Sequence, residues 1–99
     1  MATLHVLSHS PFGDIRLNSC LRLLGVGDGV LLCGDAVYAL QPGTPTYRAL
    51  EQLPSGAELF VLDEDLQARA LASPDWVQSV DYPAFVALSC RYGKVNSWL

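Results

Sequence analysis

The sequence predicts an α/β domain with a small, mostly parallel sheet and helices on both faces. Short apolar segments alternate with helix-like segments along the chain, an order typical of parallel sheets. Residues 29–34 are apolar on nearly successive positions, which indicates a strand covered on both faces. With 99 residues, 51% of them hydrophobic and 16% charged, the chain fits a single globular domain over 1–99.

Four segments are predicted to form strands: 3–8, 29–34, 57–63 and 75–81. The first, TLHVLS, combines apolar and β-branched residues and ends at the turn cluster HSPFGD. The tail GKVNSWL is not assigned to a strand. Its apolar residues Trp98 and Leu99 are expected to pack against the domain.

The first predicted helix spans about 15–24 and follows Asp14, whose carboxylate can accept free N–H groups of the first turn. Four of its residues are spaced at i, i+3, i+4 and i+7, as on a core-facing stripe: Leu17, Cys20, Leu21 and Leu24. Further helices are predicted at 46–53, 63–72 and 82–92, and DAVYAL forms a short helix or a turn.

Charge and cysteine content argue against several classes of protein. The net charge is −4 and the six Lys and Arg residues are scattered, so no basic stripe for nucleic acid is expected. No apolar run reaches the roughly 18 residues of a membrane span, and the start MATLHVLSHSPFG is unlike a signal peptide. We therefore expect a cytoplasmic protein. The three cysteines predict neither a disulfide framework nor a metal site, and no cofactor is expected.

Polar residues follow the ends of all four predicted strands, in SHSP, CGD, LDED and VDY. Ligands of parallel sheets bind outside the carboxyl ends of the strands, so His9, Ser10 and Asp35 are candidate lining residues of a site. The alternative is structural. Ser10 orders the turn before a proline, and Asp35, like Asp63 and Asp81, caps or braces the segment that follows its strand.

These motifs, in this order and spacing, resemble the TusB/DsrH family of sulfur-relay subunits. The resemblance runs nearly end to end, through LHVLSHSPF, GDGVLLCGDAVYAL, LFVLDEDLQARAL, VDYPAFVAL and a terminal SWL. No single piece is specific alone, whereas the ordered set is. The resemblance implies a small α/β domain with a flavodoxin-like, DsrEFH-like layered sheet.

The resemblance also implies partners. The chain would be one of three homologous subunits, two copies of each, beside a TusC/DsrF-like and a TusD/DsrE-like chain, with a downstream TusE/DsrC-like sulfur carrier. In the TusBCD branch the complex passes persulfide sulfur toward 2-thiolation of the tRNA wobble uridine, and in the DsrEFH branch it serves sulfur oxidation. In the family the main sulfur-carrying cysteine belongs to the TusD/DsrE-type subunit, so the resemblance implies a mainly architectural role for this chain.

Cys20 is the candidate sulfur carrier within this chain. The DsrH type resembles this chain in having a cysteine in a segment like LNSCL, which many TusB-type chains lack. Arg16 lies one helical turn before Cys20, and a neighbouring cation stabilises the thiolate that attacks a persulfide. The alternative is a half-buried cysteine that acts as a small hydrophobe.

The other two cysteines are predicted to be inert. Cys33 ends a buried strand and is expected to fill the core. The stretch CRYGKV around Cys90 is interpreted as an accidental match to the rhodanese-type loop CxxGxR. In this chain Val95 occupies the arginine position, and the residues before Cys90 read as a helix.

The apolar content predicts that neighbouring subunits cover part of the surface. Four aromatic residues are candidates for such an interface, with ordinary core packing as the equal alternative: Tyr38, Tyr47, Trp76 and Trp98.

Three functional interpretations follow. The leading one is a subunit of a heterohexameric sulfurtransferase complex that acts in tRNA 2-thiolation, without a metal or organic cofactor and without strong tRNA binding of its own. The first rival is a DsrH-type subunit in sulfur oxidation, with Cys20 exchanging sulfur with a small carrier protein. The second rival is a freestanding α/β binding domain, which would be a monomer when expressed alone.

Overall fold

The computed structural model describes residues 2–54 and 56–98 and contains one five-stranded parallel sheet. The strands are β1 (Thr3–Leu7), β2 (Gly29–Leu32), β3 (Glu58–Leu62), β4 (Gln78–Val80) and β5 (Lys94–Trp98), in the spatial order β4-β3-β2-β1-β5. The helices are α1 (Arg16–Arg22), α2 (Pro45–Glu51), α3 (Asp63–Ala68) and α4 (Tyr82–Arg91), with a 3₁₀ segment at Gly34–Leu40. The predicted fold class is confirmed.

The path of the chain determines which face each helix covers. From β1 to β4 the chain advances in one direction across the sheet, and then it crosses back to β5 beside β1. Because crossovers between parallel strands are right-handed, this reversal places α4 on the face opposite the earlier helices. The described helices therefore cover both faces, as the sequence predicted.

Two hydrophobic cores lie on the two faces of the sheet. The first lies beneath α1, α2, α3 and the 3₁₀ segment, and its buried residues are Leu7, Leu17, Cys20, Val30, Leu32, Ala36, Val37, Ala39, Leu40, Leu50, Leu59, Val61, Leu66 and Val77. The second lies beneath α4 and consists of Leu4, Leu31, Phe60, Leu62, Val80, Leu88 and Tyr92. All four residues of β2 are buried, as expected for a strand covered on both faces.

Strand β5 was not predicted. Four of its five residues are exposed, and the segment KVNSW has too few apolar residues to be recognised as a strand. Its pairing with β1, which aligns Leu7 with Trp98, makes it the edge of the sheet. Trp98 packs against the first core, as predicted, whereas Leu99 lies outside the described residues.

Aspartate carboxylates accept backbone N–H groups in the first turns of α4 and α1. The Asp81 carboxylate accepts the N–H of Ala84 at 2.9 Å and caps α4, which confirms the predicted cap. Asp14 was predicted to cap α1, but the N-cap is Ile15. Asp14 directly precedes this N-cap, and its carboxylate accepts the N–H of Arg16 at 2.7 Å.

Among the described residues, no helix combines the length and the apolar composition that a membrane-spanning helix requires.

Helix α3 ends at Ala68, earlier than the predicted 72, because the chain turns at Ala70. The N–H of Leu71 donates to the carbonyl of Leu66 at 3.0 Å, and the N–H of Ala70 donates to the carbonyl of Gln67 at 3.1 Å. This pair of hydrogen bonds is a Schellman motif, which needs a left-handed residue where Ala70 stands with φ of 53°. Glycine is the residue usually found there, so the backbone at Ala70 is strained.

We predict that Ala70→Gly stabilises the protein by about 1 kcal/mol, because glycine adopts the left-handed conformation without a Cβ clash. The matched control is Ala68→Gly, two residues earlier inside α3, which should destabilise by roughly 0.5–1 kcal/mol. Urea unfolding of both variants measures the two changes. A loss of stability in Ala70→Gly would contradict the strain assigned to this turn.

Candidate functional site

The carboxyl ends of β1 and β2 lie side by side at one edge of the sheet. Leu7 aligns with Leu32, and the Cys33 N–H donates to the Leu7 carbonyl at 2.9 Å. The loops that follow the two strands are therefore held against each other. Gly34, with φ of 51°, permits this approach, since a Cβ there would lie 3.1 Å from the Ser8 carbonyl oxygen.

A shallow, open cleft of about 350 Å³ lies between these loops, lined by Ser8, His9, Ser10, Gly13, Asp14 and Asp35. The three residues predicted to line a site from separate loops, His9, Ser10 and Asp35, thus lie at one cleft. Arg16 is not among the lining residues. Imidazole, hydroxyl and carboxylate groups at this cleft can exchange hydrogen bonds with a polar ligand or with a partner chain.

The two carboxylates of the cleft are paired with arginines. Asp14 forms an ion pair with Arg16, and Asp35 accepts hydrogen bonds from Arg69 at 2.8 and 3.2 Å. The hydrogen bonds to Asp35 are the main reason why the pKa of Arg69 is raised. In the part of the chain that the structure describes, no group of three His, Cys, Asp or Glu side chains is placed to hold a metal ion.

Cys20 does not lie in a setting that would activate its thiol. The side chain is fully buried in the first core, with 0% exposure, and is not half-buried at its edge. The guanidinium of Arg16 is instead engaged by Asp14. Burial, together with the charge of Asp28, raises the pKa of the Cys20 thiol to about 12. The core-facing stripe predicted for the helix is therefore correct at Cys20, and the activated thiolate is not supported.

Cys33 and Cys90 differ from each other in exposure. Cys33 is half-buried, its thiol donates to the Leu7 carbonyl at 3.4 Å, and burial followed by the charge of Asp65 raises its pKa. Cys90 is exposed near the end of α4. Its helical setting agrees with the interpretation of CRYGKV as an accidental match, because helix α4 continues through Cys90 to Arg91.

The four aromatic residues proposed for an interface are mostly engaged within the chain. The Arg69 guanidinium lies over the Tyr38 ring at 5.8 Å, and Tyr47 packs edge-on against Trp76 at 5.4 Å. Trp98 is half-buried, which leaves Trp76 as the most exposed of the four at 40%. Their role in an interface stays a prediction.

Other large apolar side chains, which the sequence did not single out, are more exposed. They are Phe12, Ile15, Leu23, Val26, Tyr82, Val86 and Val95, and Val26 reaches 97% exposure. No local sequence pattern predicts their exposure, because exposure depends on which neighbours the fold supplies.

The sequence also did not predict a buried series of hydrogen bonds that joins three side chains. The indole Nε1 of Trp98 donates to Nδ1 of His5 at 3.0 Å, and Nε2 of His5 lies 3.3 Å from the Asp28 carboxylate. His5 and Asp28 are both buried. In the sequence, Asp28 read only as part of the turn GVGDG, and no local signal could link it to residue 98.

Asp28 has further partners in the backbone. Its carboxylate accepts the N–H of Thr3 at 2.9 Å and the N–H of Gly25 at 2.8 Å. Burial acts to raise the pKa of Asp28, but the hydrogen bonds from Gly25, Thr3 and His5 together outweigh it and hold the pKa below its usual value. Asp28 is therefore an ionised, fully paired buried carboxylate.

The family model described as DsrH like protein matches residues 9–95. The chain belongs to the DsrH-like family. Protein TusB of Erwinia tasmaniensis is 39% identical over 97 residues, which cover 96% of this chain and 99% of that protein. Protein TusB of Salmonella paratyphi B is 35% identical over the same shares of the two chains.

Solved structures agree with the DsrH-like chain in fold. The crystal structure of the ychN protein from E. coli superposes with a TM-score of 0.80 over 99% of this chain and 100% of that chain, at 18% identity. Protein MTH1491 from Methanobacterium thermoautotrophicum, of unknown function, gives a TM-score of 0.70 over 96% of each chain, at 14% identity. At these identities the likeness concerns the fold alone.

We predict that stability of this DsrH-like chain falls in acid partly through Asp28. The pKa of Asp28 is lower in the folded state than in the unfolded state. The ionised carboxylate therefore contributes its full stabilisation above the unfolded pKa of about 4, and this stabilisation is lost as the pH falls through the folded pKa. Asp28→Asn should lower the free energy of unfolding by roughly 1–3 kcal/mol at neutral pH. It should also make the free energy of unfolding fall less steeply as the pH is lowered. Urea unfolding between about pH 7 and pH 2 measures both effects.

The control for this experiment is Asp35→Asn, which removes an exposed ion pair with Arg69 and should change stability by less than about 1 kcal/mol. If the Asp28→Asn variant lost stability in acid as steeply as the parent protein, Asp28 would not be the group responsible for that loss.

We predict that the three thiols react in the order Cys90, Cys33, Cys20. A pKa of about 12, against the ordinary 9.0, lowers the thiolate fraction of Cys20 about a thousandfold, and burial adds a steric barrier. Timed iodoacetamide labelling followed by peptide mass spectrometry measures each rate. Cys20 should be labelled only after unfolding in urea, and labelling of Cys20 as fast as Cys90 would contradict its placement in the core.

Proposed function

We propose that this DsrH-like chain is a subunit of a sulfur-relay complex that passes persulfide sulfur toward 2-thiolation of the tRNA wobble uridine. Identity of 35–39% over nearly the full length to proteins named TusB carries this proposal. The complex would contain two homologous partner subunits, two copies of each of the three chains, and would act with a small downstream sulfur carrier in the cytoplasm.

Within such a complex, we assign this chain an architectural role. In persulfide transfer, an accessible thiolate attacks the outer sulfur of a donor persulfide, takes up that sulfur, and the donor cysteine leaves as a thiolate. Full burial and a raised pKa deny Cys20 both requirements. We therefore propose that the sulfur-carrying cysteine belongs to a sister subunit.

The apolar surface of the chain supports partner contacts. Among residues 2–54 and 56–98, eight large apolar side chains are at least 40% exposed, with Trp76 the least exposed and Val26 the most. Isolated exposed apolar residues are common, but side chains such as Val26 at 97% and Ile15 at 75% favour surfaces that another subunit covers. This observation disfavours a freestanding binding domain.

The sulfur-oxidation branch is the second candidate. Cys20 within LNSCL was the feature that pointed to a DsrH-type chain. Burial of Cys20 removes the chemical reason for this choice, whereas the relatives with 35–39% identity carry the TusB name. The tRNA branch is accordingly the one we propose.

We expect this chain to assemble with its homologous sister subunits. Co-expression of the tagged chain with the two sister chains, followed by native mass spectrometry, should yield a six-chain complex with two copies of each. The tagged chain expressed alone is the control and should not give this mass. A monomer that takes up neither sister chain would overturn the proposal.

The same complex tests the role of Cys20. Cys20→Ala, which keeps a small apolar side chain in the core, should assemble and should transfer sulfur to the downstream carrier at the rate of the parent complex. Loss of transfer in an intact six-chain complex would make Cys20 a sulfur carrier and would overturn the architectural assignment. The control is Cys90→Ala, which removes an exposed thiol.

A further inference from the structure

Trp98, His5 and Asp28 form a hydrogen-bonded chain between the edge strand β5, the neighbouring strand β1 and the loop that precedes β2. The first bond joins Trp98 Nε1 to His5 Nδ1 at 3.0 Å, and the second joins His5 Nε2 to the Asp28 carboxylate at 3.3 Å. The rings of His5 and Trp98 are tilted by 45° with centroids 6.1 Å apart. Both nitrogens of the His5 ring are therefore occupied.

These partners define one protonation state of His5. An indole N–H can only donate, so Nδ1 of His5 must be the acceptor and carries no proton. An ionised carboxylate can only accept, so Nε2 carries the proton. His5 is thus the neutral Nε2–H tautomer, and a second proton can enter the ring only at Nδ1.

A proton at Nδ1 would place two N–H donors against each other. The bond from Trp98 is then lost, and the indole must turn away from the ring. The imidazolium formed in this way stays beside the Asp28 carboxylate, which compensates its charge. Protonation therefore strengthens one end of the hydrogen-bonded chain and breaks the other.

The groups that surround this series of hydrogen bonds favour that outcome. Asp28, on the loop before β2, is the charged group at ion-pair distance from His5, and it is itself held by the backbone of Thr3 and Gly25. From α1, the thiol of Cys20 lies near enough to feel the charge of Asp28 and is uncharged. From β5, the group that faces His5 is the neutral indole of Trp98.

We propose that Trp98, His5 and Asp28 form a proton-operated clasp on strand β5. While His5 is neutral, the clasp holds the carboxyl end of β5 on the sheet through Trp98. When His5 takes up a proton at Nδ1, the Trp98 side chain is released and the last residues of β5 loosen, while β1, β2 and β3 stay in place.

The position of β5 explains why release would be local. β5 is an edge strand with a single neighbour, β1, and four of its five residues are exposed. The Trp98 side chain is the part of β5 that packs against the first core. Loss of its hydrogen bond therefore weakens this side-chain anchor of the strand and leaves the backbone pairing of β5 with β1.

The test is NMR of the full chain between about pH 8 and pH 5, the range over which histidines usually change charge. At about pH 8, the NMR signals of the ring nitrogens of His5 should be those of the Nε2–H tautomer. As His5 takes up a proton, the indole N–H signal of Trp98 should shift, and amide protection at the end of β5 should fall by about tenfold. The indole signal of Trp76 and the protection of β2 and β3 should stay constant.

Three variants keep the proposal falsifiable. His9→Gln removes the other histidine of the chain and should leave the transition unchanged. His5→Phe should abolish it. Trp98→Phe removes the indole donor, so protection of β5 should no longer depend on pH.

Several results would overturn the clasp. They are a His5 ring that stays neutral over the whole range, a Trp98 signal that is constant while His5 titrates, and pH-dependent protection of β5 that persists in Trp98→Phe. Simultaneous loss of protection in all strands would also overturn it, because acid would then act on the whole fold.

Discussion

The buried carboxylate of Asp28 is the constraint on which much of this structure depends. A buried charge without partners would cost several kcal/mol, so the groups that satisfy it have to be in place whenever the chain is folded. They come from the start of β1 at Thr3, from the end of the α1 connection at Gly25, and from His5 within β1. The carboxylate thus ties β1 to the loop that enters β2 and supports the register that aligns Leu7 with Leu32.

That register also shapes the opposite edge of the sheet. Because β1 and β2 end at the same level, the loops after them meet and form the cleft lined by His9, Ser10 and Asp35. The carboxylates of the cleft are paired with arginines within the chain. The cleft therefore presents hydrogen-bonding groups whose charge is partly neutralised within the chain.

The same carboxylate bears on the chemistry of Cys20. A thiol becomes a nucleophile where a cation or a helix N-terminus stabilises the thiolate. Cys20 instead lies in an apolar core near a negative charge, and both effects oppose ionisation. A cysteine at this point of the first helix is thus compatible with a purely structural role, and its presence alone does not distinguish the two branches of the family.

The sequence by itself determined the parallel α/β fold, the strand ends as the place of the cleft, and the cap at Asp81. These features depend on local periodicity and on residues within a few positions of each other, such as Asp81 and Ala84. Tertiary structure decided the rest. Helical spacing predicted Arg16 near Cys20, but the guanidinium of Arg16 forms an ion pair with Asp14, two residues before it. Strand β5 and the Trp98–His5–Asp28 chain join residues as much as 93 positions apart, and no local pattern encodes such contacts because they form only when the sheet is complete.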